Sequence, residues 1–224
     1  MWCIPALTPE FIGRMEEILD LYAKPHNSLE PVLCFDEKSK QLLKDTRPVK
    51  NTKEGKPRRR DYEYERSGTR NIFVTVEPKG GYREVSVTNQ RKKPDFAQEI
   101  ARIIKLHRYR HATTIHIVLD NLNTHFEKSF IETFGTREAK HILSRIRFHY
   151  TPKHASWLNM AEIEIGILSR QSIKGRIPTE EKLREHTRLW QDSRNGARAM
   201  ISWTFTVRNA RAKFQYNSRG SKLN

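Results

Sequence analysis

The sequence has few cysteines and no long hydrophobic run. Cys3 and Cys34 are its two cysteines, too few for a disulfide scaffold or a cysteine-rich zinc site. No apolar stretch approaches the roughly 18–20 residues of a membrane span, and no charged-then-apolar signal peptide opens the chain. These absences favour a soluble intracellular protein that has no membrane partner.

Acidic residues are scarce relative to basic ones. The 224 residues include 42 Lys and Arg against 26 Asp and Glu, a formal net charge of +16. Such an excess favours a polyanionic partner, and nucleic acid above all. The hydrophobic fraction of 36% is enough to fill a core, which argues against disorder throughout. The length fits one large domain, with or without a small appendage.

Hydrophobic periodicity predicts alternating strands and helices. Helix signals open at Thr8-Pro9-Glu10 and end at Pro25, and a Gly-Gly turn joins two strands as a hairpin. The predicted strands are 31–35, 70–77, 82–88, 113–119 and 146–150, and the later helices begin near 94, 127, 156 and 179. We expect the third of these helices to run to Gly175 and the chain after 205 to be a weakly patterned basic tail. This order predicts an α/β protein, a mixed sheet flanked by helices.

A strongly basic segment follows the first strand. Residues 44–60 contain eight Lys or Arg with two prolines and a glycine, a composition that predicts a loop. Its position directly after Asp36 favours a role in contacting DNA or a second subunit, although a solvated loop is the usual fate of such a run.

Two predicted strands end in an aspartate, Asp36 and Asp120. Ligand sites of open α/β sheets lie at the carboxyl ends of strands, so these acids converge if their strands are neighbours. With a third acid from a helix they would form an oxygen-rich site for hard divalent cations such as Mg²⁺. An aspartate after a strand is also a common turn former or helix cap, and that alternative stays open for each of them.

Three motifs in order resemble one family. They are CFDEKS at 34–39, VLDN at 118–121 with His125 following, and SWLNMAE at 156–162. They are similar to the catalytic motifs of DDE transposases, specifically the mariner superfamily in its bacterial insertion-sequence branch. The resemblance implies a ribonuclease H-like fold over residues 30–205, preceded by a linker and helix at 1–29 and followed by the tail at 206–224. It also implies that Asp36, Asp120 and Glu162 are the catalytic and metal-binding acids.

The resemblance carries further expectations. It implies DNA strand cleavage and strand transfer with two Mg²⁺ or Mn²⁺ ions, acting on double-stranded DNA of element ends and target. We expect a homodimer assembled on DNA, in a bacterial cytoplasm and associated with the nucleoid. Full-length relatives carry a helix-turn-helix region ahead of the catalytic domain. Residues 1–7 read as connecting chain, so we expect a truncated, frameshifted or separately encoded catalytic half.

Some assignments stay open at this stage. Periodicity does not separate Glu162 from Glu164 as the third acid, whereas the Leu-Asn-x-x-Glu match favours Glu162. The candidate DNA contacts are side chains from the basic segment and from the loops beside the acids: Arg58, Arg59, Arg60, Asn121, His125, Lys153 and His154. Two other functions remain possible, a host nuclease of the same fold and a non-catalytic DNA-binding remnant of a transposase.

Overall fold

One five-stranded sheet forms the centre of the chain. The computed structural model describes residues 7–217. The strands are β1 (Val32–Asp45), β2 (Tyr64–Glu77), β3 (Tyr82–Thr88), β4 (Ile115–Leu119) and β5 (Ile146–Tyr150). They lie in the order β3-β2-β1-β4-β5. The first three strands pair antiparallel, while β1–β4 and β4–β5 pair parallel. The predicted mixed sheet is therefore confirmed.

Six α-helices within residues 7–217 flank this sheet. They are α1 (Pro9–Ala23), α2 (Lys93–Ile104), α3 (Glu127–Leu143), α4 (Met160–Gln171), α5 (Glu180–Gly196) and α6 (Val207–Phe214). The predicted break in α3 is present at Gly135, whose φ of 76° lies outside helical values. Within residues 7–217, no helix is both long enough and apolar enough to cross a membrane.

The two faces of the sheet bury different helices. Side chains of a strand alternate between faces, so Leu33 and Phe35 pack with α2 and α3 while Cys34 packs with α1 and the start of α4. A third cluster joins α4 and α5 to β2, with Leu168 and Trp190 among its buried members. The start of α4 is thus held against β1 on the α1 side of the sheet.

The first strand is longer than the sequence predicts. We expected it to end before Asp36, but β1 continues to Asp45 and pairs with β2, which begins at Tyr64 instead of Arg70. Most of the added residues are polar because this half of the ribbon extends past the main core, but Leu42 is buried against the α4–α5 cluster. Residues 46–63, here called the arm, join the two strands. The arm contains no helix or strand, apart from isolated bridges between Lys50 and Arg59 and between Lys53 and Lys56.

Two predictions near the chain's C-terminal half are wrong in detail. The helix expected from Ser156 to Gly175 is a 3₁₀ turn (Ser156–Leu158) followed by α4, because Asn159 adopts an extended conformation and caps the new helix. The tail expected to be weakly patterned contains α6, which opens with a capping box at Thr206. Arg211 of this helix forms a salt bridge with Glu16 of α1. The domain boundaries at 29/30 and 205/206 stay predictions, and residues 1–6 and 218–224 lie outside the described residues.

The outer edge of β3 is covered by side chains of α5. Gln191 Oε1 accepts a hydrogen bond from Val85 N at 2.6 Å, and Asn195 Oδ1 accepts one from Arg83 N at 2.8 Å. Asn195 Nδ2 also donates to the Arg83 carbonyl at 2.9 Å. Unpaired strand edges promote pairing with other chains. These amides therefore satisfy the edge and protect it.

Candidate active site

Asp36 and Asp120 lie at the same level of adjacent strands. β1 and β4 are parallel neighbours in which Cys34 faces Val118, and two residues further along both chains carry an aspartate. β4 ends at Leu119, whereas Asp36 lies within β1. The condition for the two acids to lie together, that their strands are neighbours, is met, although Asp36 does not follow its strand.

The third acid is positioned by the cap of α4. Asn159 is buried, and its Oδ1 accepts a hydrogen bond from Ala161 N at 3.1 Å while its Nδ2 donates to the Phe35 carbonyl at 2.8 Å. One side chain therefore fixes the first turn of α4 to the β1 residue that precedes Asp36. Glu162 lies in this turn and is exposed. Its carboxylate forms neither a hydrogen bond nor a salt bridge with any residue in 7–217.

The acids affect one another electrostatically. Burial raises the pKa of Asp36 to about 7, and the charges of Glu37, Asp120 and Glu162 add to that rise. The opposing contribution is a hydrogen bond from Glu37 N to Asp36 Oδ1, 2.8 Å long. No cation within residues 7–217 forms a salt bridge with Asp36 or Glu162. The site therefore collects negative charge in a strongly basic protein.

Glu164 occupies a different environment from Glu162. Its carboxylate is fully buried between Arg83, which donates from Nε at 3.0 Å and from Nη2 at 2.8 Å, and Arg194, which donates at 2.9 Å. These salt bridges join α4 to β3 and α5. Glu164 is therefore buried and neutralised by two arginines. Glu162 is the one of the two whose charge raises the pKa of Asp36.

His125 is buried beside Asp120. Its Nδ1 lies 2.7 Å from Asp120 Oδ1, and its Nε2 lies 3.3 Å from Glu37 Oε2, an ion-pair contact without hydrogen-bond geometry. Burial would lower the pKa of His125, but the contacts with Asp120 and Glu37 raise it to about 9. The ring packs on Phe96, with centroids 4.6 Å apart. With 1% of its surface exposed, His125 is turned toward Asp120 and away from solvent, and the DNA contact expected of it stays a prediction.

Glu37 is a site residue that sequence reasoning missed. Strand alternation places it on the face opposite Asp36, where it is buried and contacts His125 and, at 3.4 Å, Arg91. The Asp-Glu dipeptide is visible in the sequence. The separate position of Glu37 could be predicted only if β1 were known to continue past Asp36, because adjacent residues of a strand point to opposite faces.

The other candidate DNA contacts are exposed. Asn121 follows Asp120, accepts a hydrogen bond from Arg14 at 3.1 Å and donates one to the Thr151 carbonyl at 2.6 Å. Lys153 and His154 lie in the loop after β5, with His154 at a positive φ of 64°.

The three arginines of the arm differ in their contacts. The side chains of Arg58 and Arg59 form no salt bridge with any residue that the structure describes, and both are exposed. Arg60 forms a salt bridge with Asp45 at 2.9 Å. Arg58 and Arg59 are therefore the two arginines of this group that are available to a partner.

The chemistry of the donors fits a hard divalent cation. Asp36, Asp120 and Glu162 offer carboxylate oxygens, which Mg²⁺ and Mn²⁺ prefer, and the mutual repulsion seen in the pKa of Asp36 is what a cation would relieve. Within residues 7–217, no three His, Cys, Asp or Glu side chains converge closely enough to hold a metal ion. The donors are present, but their side chains are not drawn together.

A mixed sheet with helices on both faces, with one acid on its central strand and another directly after the neighbouring strand, defines the ribonuclease H-like class, as the resemblance implied. The chain belongs to the DDE superfamily endonuclease family, whose model matches residues 31–184. Members of this superfamily use divalent metal ions. The more specific prediction of a bacterial insertion-sequence branch stays a prediction. No curated protein matches the chain.

Solved structures of a mariner transposase share the fold. The Mos1 mariner paired-end complex with Mn is 14% identical, with a TM-score of 0.54 over 89% of this chain and 61% of that chain. The Mos1 paired-end complex with the left transposon end is 14% identical, with a TM-score of 0.55 over 100% of this chain and 66% of that chain. The Mos1 strand transfer complex is 13% identical, with a TM-score of 0.53 and coverages of 97% and 63%. This chain spans less than two thirds of those chains.

Asn159→Ala is expected to reduce DNA nicking about 10- to 100-fold, the usual effect of losing a group that orients metal ligands. It removes the cap of α4 and leaves the buried Phe35 carbonyl without its partner, so stability should also fall by about 1–3 kcal/mol. Thr206→Ala removes the cap of α6 and is the matched control. A metal-dependent nicking assay and thermal melting separate the two effects: equal loss of nicking in both variants would contradict a positioning role for Asn159.

Proposed function

We propose that this chain is the catalytic domain of a DNA transposase, which cleaves DNA strands and joins the freed end to target DNA. The observation that carries the proposal is the placement of three acids. Asp36 and Asp120 lie at the same level of adjacent strands, and the cap of α4 holds Glu162 near Asp36. Membership in the DDE family supports the same reaction type.

Two divalent ions, Mg²⁺ or Mn²⁺, are the proposed cofactors, held by Asp36, Asp120 and Glu162. When bound, such ions activate the attacking water and stabilise the leaving oxygen of a phosphodiester. The remaining work falls to the protein's own side chains. Asn159 holds the helix that carries Glu162, and His125 holds one oxygen of Asp120 in a fixed direction.

The proposed partner is double-stranded DNA. We propose that a homodimer of this chain binds it. The net charge of +16 supplies the attraction to phosphates. Arg58, Arg59, Lys153 and His154 are the exposed side chains proposed to contact DNA, with Asn121 beside the acids. A solved Mos1 structure of the same fold is a complex with a transposon end, which supports this choice of partner.

An assay that follows both cleavage and joining tests the proposal. With Mg²⁺ or Mn²⁺ present, the chain should nick duplex DNA, and a labelled 3′-hydroxyl end should become covalently joined to a second duplex. Nicking without joining would indicate a nuclease of the same fold. DNA binding without either reaction would indicate the non-catalytic remnant.

DNA binding is expected to depend steeply on salt and weakly on sequence. Phosphate contacts release counterions, so the logarithm of the binding constant should fall linearly with the logarithm of the salt concentration. Titrations of transposon-end duplexes and random duplexes across a salt series measure both properties. A strong preference for one sequence at every salt concentration would show that the chain carries its own specificity element.

Replacing Arg58, Arg59 and Arg60 together by Ala is expected to weaken DNA binding and to reduce the salt slope by up to about three, roughly one per phosphate contact. Arg58 and Arg59 should account for most of this change, because Arg60 is paired with Asp45. The melting temperature should move little, since the arm is exposed. The matched control replaces Lys182, Arg184 and Arg188 on α5, which removes the same charge elsewhere. Equal effects of both triple variants would contradict a specific role for the arm.

A further inference from the structure

Both ends of the arm are tied to one arginine. Arg176 lies between α4 and α5, and its Nη1 donates to Asp45 Oδ1 at 2.7 Å and to the Glu63 carbonyl at 2.8 Å. Its Nη2 donates to the Tyr62 carbonyl at 2.8 Å. Asp45 ends β1, and the other two acceptors immediately precede β2. A single guanidinium therefore joins the point where the chain enters the arm to the point where it returns.

The environment of Arg176 makes these bonds effective. Its side chain is 15% exposed, and its guanidinium carbon lies 4.9 Å from the centre of the Tyr64 ring. Arg60 occupies the other oxygen of Asp45. Charge-assisted hydrogen bonds from the planar fork of an arginine fix orientation as well as distance. Lysine carries the same charge on a single nitrogen and does not offer that fork.

The segment that carries Arg176 is itself fixed to the sheet. Lys40 Nζ on β1 donates to the carbonyls of Ile173 and Gly175 at 2.9 and 2.8 Å, and Leu43 N donates to the Ile177 carbonyl at 2.8 Å. Gly175 has a φ of 85°, the left-handed conformation that glycine adopts without strain. The segment directly follows α4, the helix that carries Glu162, so the root of the arm has a rigid connection to the site.

Apart from Arg176, the arm is held to the rest of the chain by the salt bridge between Arg60 and Asp45. Its residues are polar and almost all exposed, and a segment without a core of its own is ordered only by its attachments. Ordering such a segment in advance of binding removes an entropic cost from the complex. We propose that Arg176 is a positioning residue that fixes the direction in which the arm leaves the sheet, so that the arm's cations are presented to DNA in a fixed direction. This inference rests on the proposed function.

Two substitutions that change the charge in opposite directions test this role. Arg176→Gln removes a positive charge, and Asp45→Asn removes a negative one. Electrostatics alone predicts weaker DNA binding for the first and tighter binding for the second. Loss of positioning predicts weaker binding for both, by roughly tenfold, as expected when a preorganised segment becomes free. Arg188→Gln, on an exposed pair of α5, controls for the loss of one charge.

A double variant and protease sensitivity complete the test. Arg176→Gln combined with Asp45→Asn should bind DNA about as weakly as the worse single variant, because both break the contact between Arg176 and Asp45. Trypsin should cleave the arm faster in each single variant than in the wild type or Arg188→Gln, at conserved melting temperature. Tighter DNA binding by Asp45→Asn, or unchanged cleavage of the arm, would overturn the inference. If Arg176→Gln does not fold, Arg176→Lys takes its place.

The protease result is independent of the proposed function. If the wild type neither binds nor nicks DNA, the proposed function fails, yet faster cleavage of the arm in the variants would still show that Arg176 anchors it. If the wild type is active and the variants bind DNA as it does, the proposed function stands and the role of Arg176 is wrong.

Discussion

Glu162→Gln is expected to abolish metal-dependent nicking while leaving the fold intact. Asp36→Asn and Asp120→Asn should do the same, each by about 10³-fold or more, because metal ligands that act as a unit fail together. Glu162 is exposed and unpaired within residues 7–217, so its loss should not lower the melting temperature. A nicking assay with Mg²⁺ and with Mn²⁺, next to thermal melting, measures both properties.

The matched control is Glu138→Gln, which removes an exposed carboxylate of α3. This variant should nick DNA at the wild-type rate. An active Glu162→Gln protein would show that another group supplies the third ligand. Loss of nicking in the Glu138 variant would show that the assay responds to the loss of any surface carboxylate and not to a particular site.

Glu164→Gln is expected to destabilise the protein by about 3–5 kcal/mol, the usual cost of breaking a buried ion pair by removing one partner. The substitution leaves the buried guanidinium of Arg83 without its counter-charge and weakens the contact of Arg194. For a chain of this size the melting temperature should fall by roughly 6–20 °C. Calorimetry or circular dichroism on heating measures the change.

Glu185→Gln is the control for this prediction, since it removes a carboxylate from an exposed pair with Lys182 and should leave the melting temperature unchanged. A stable Glu164→Gln protein that has lost nicking would reverse the assignments of Glu162 and Glu164. A stable and active one would show that the buried cluster tolerates a neutral partner.

Much of the fold could be predicted because its signals are local. Apolar runs such as those around Leu33 and Ile117 are typical of buried strands, and the helices were recognisable from their spacing and caps. Once β1 and β4 pair in parallel, Asp36 and Asp120 lie opposite each other at the same height of the sheet. The position of Glu162 was predicted from its motif, and the contacts of Asn159 now give the physical reason for that motif.

The remainder depends on contacts between distant residues. The outer half of β1 is hard to predict as strand because its partner begins 19 residues later, at Tyr64, and apart from the buried Leu42 it is stabilised by pairing with β2. The burial of His125 requires Glu37 and Phe96, which no periodicity places near it. The anchoring of the arm by Arg176 joins segments more than 100 residues apart, and nothing in either segment indicates the other.

The helix α5, whose Gln191 and Asn195 bond the outer edge of β3, can follow that edge for only a short distance. Four residues of an α-helix advance about 6 Å, and two residues of an antiparallel strand advance about 6.8 Å. Gln191 and Asn195 therefore match the outward amides of Val85 and Arg83 with a mismatch of under about 1 Å, which flexible amide side chains absorb. At the preceding step of the series, Thr187 bonds Arg184 within its own helix. A helix can thus replace a neighbouring strand for about two hydrogen-bonded positions of the edge.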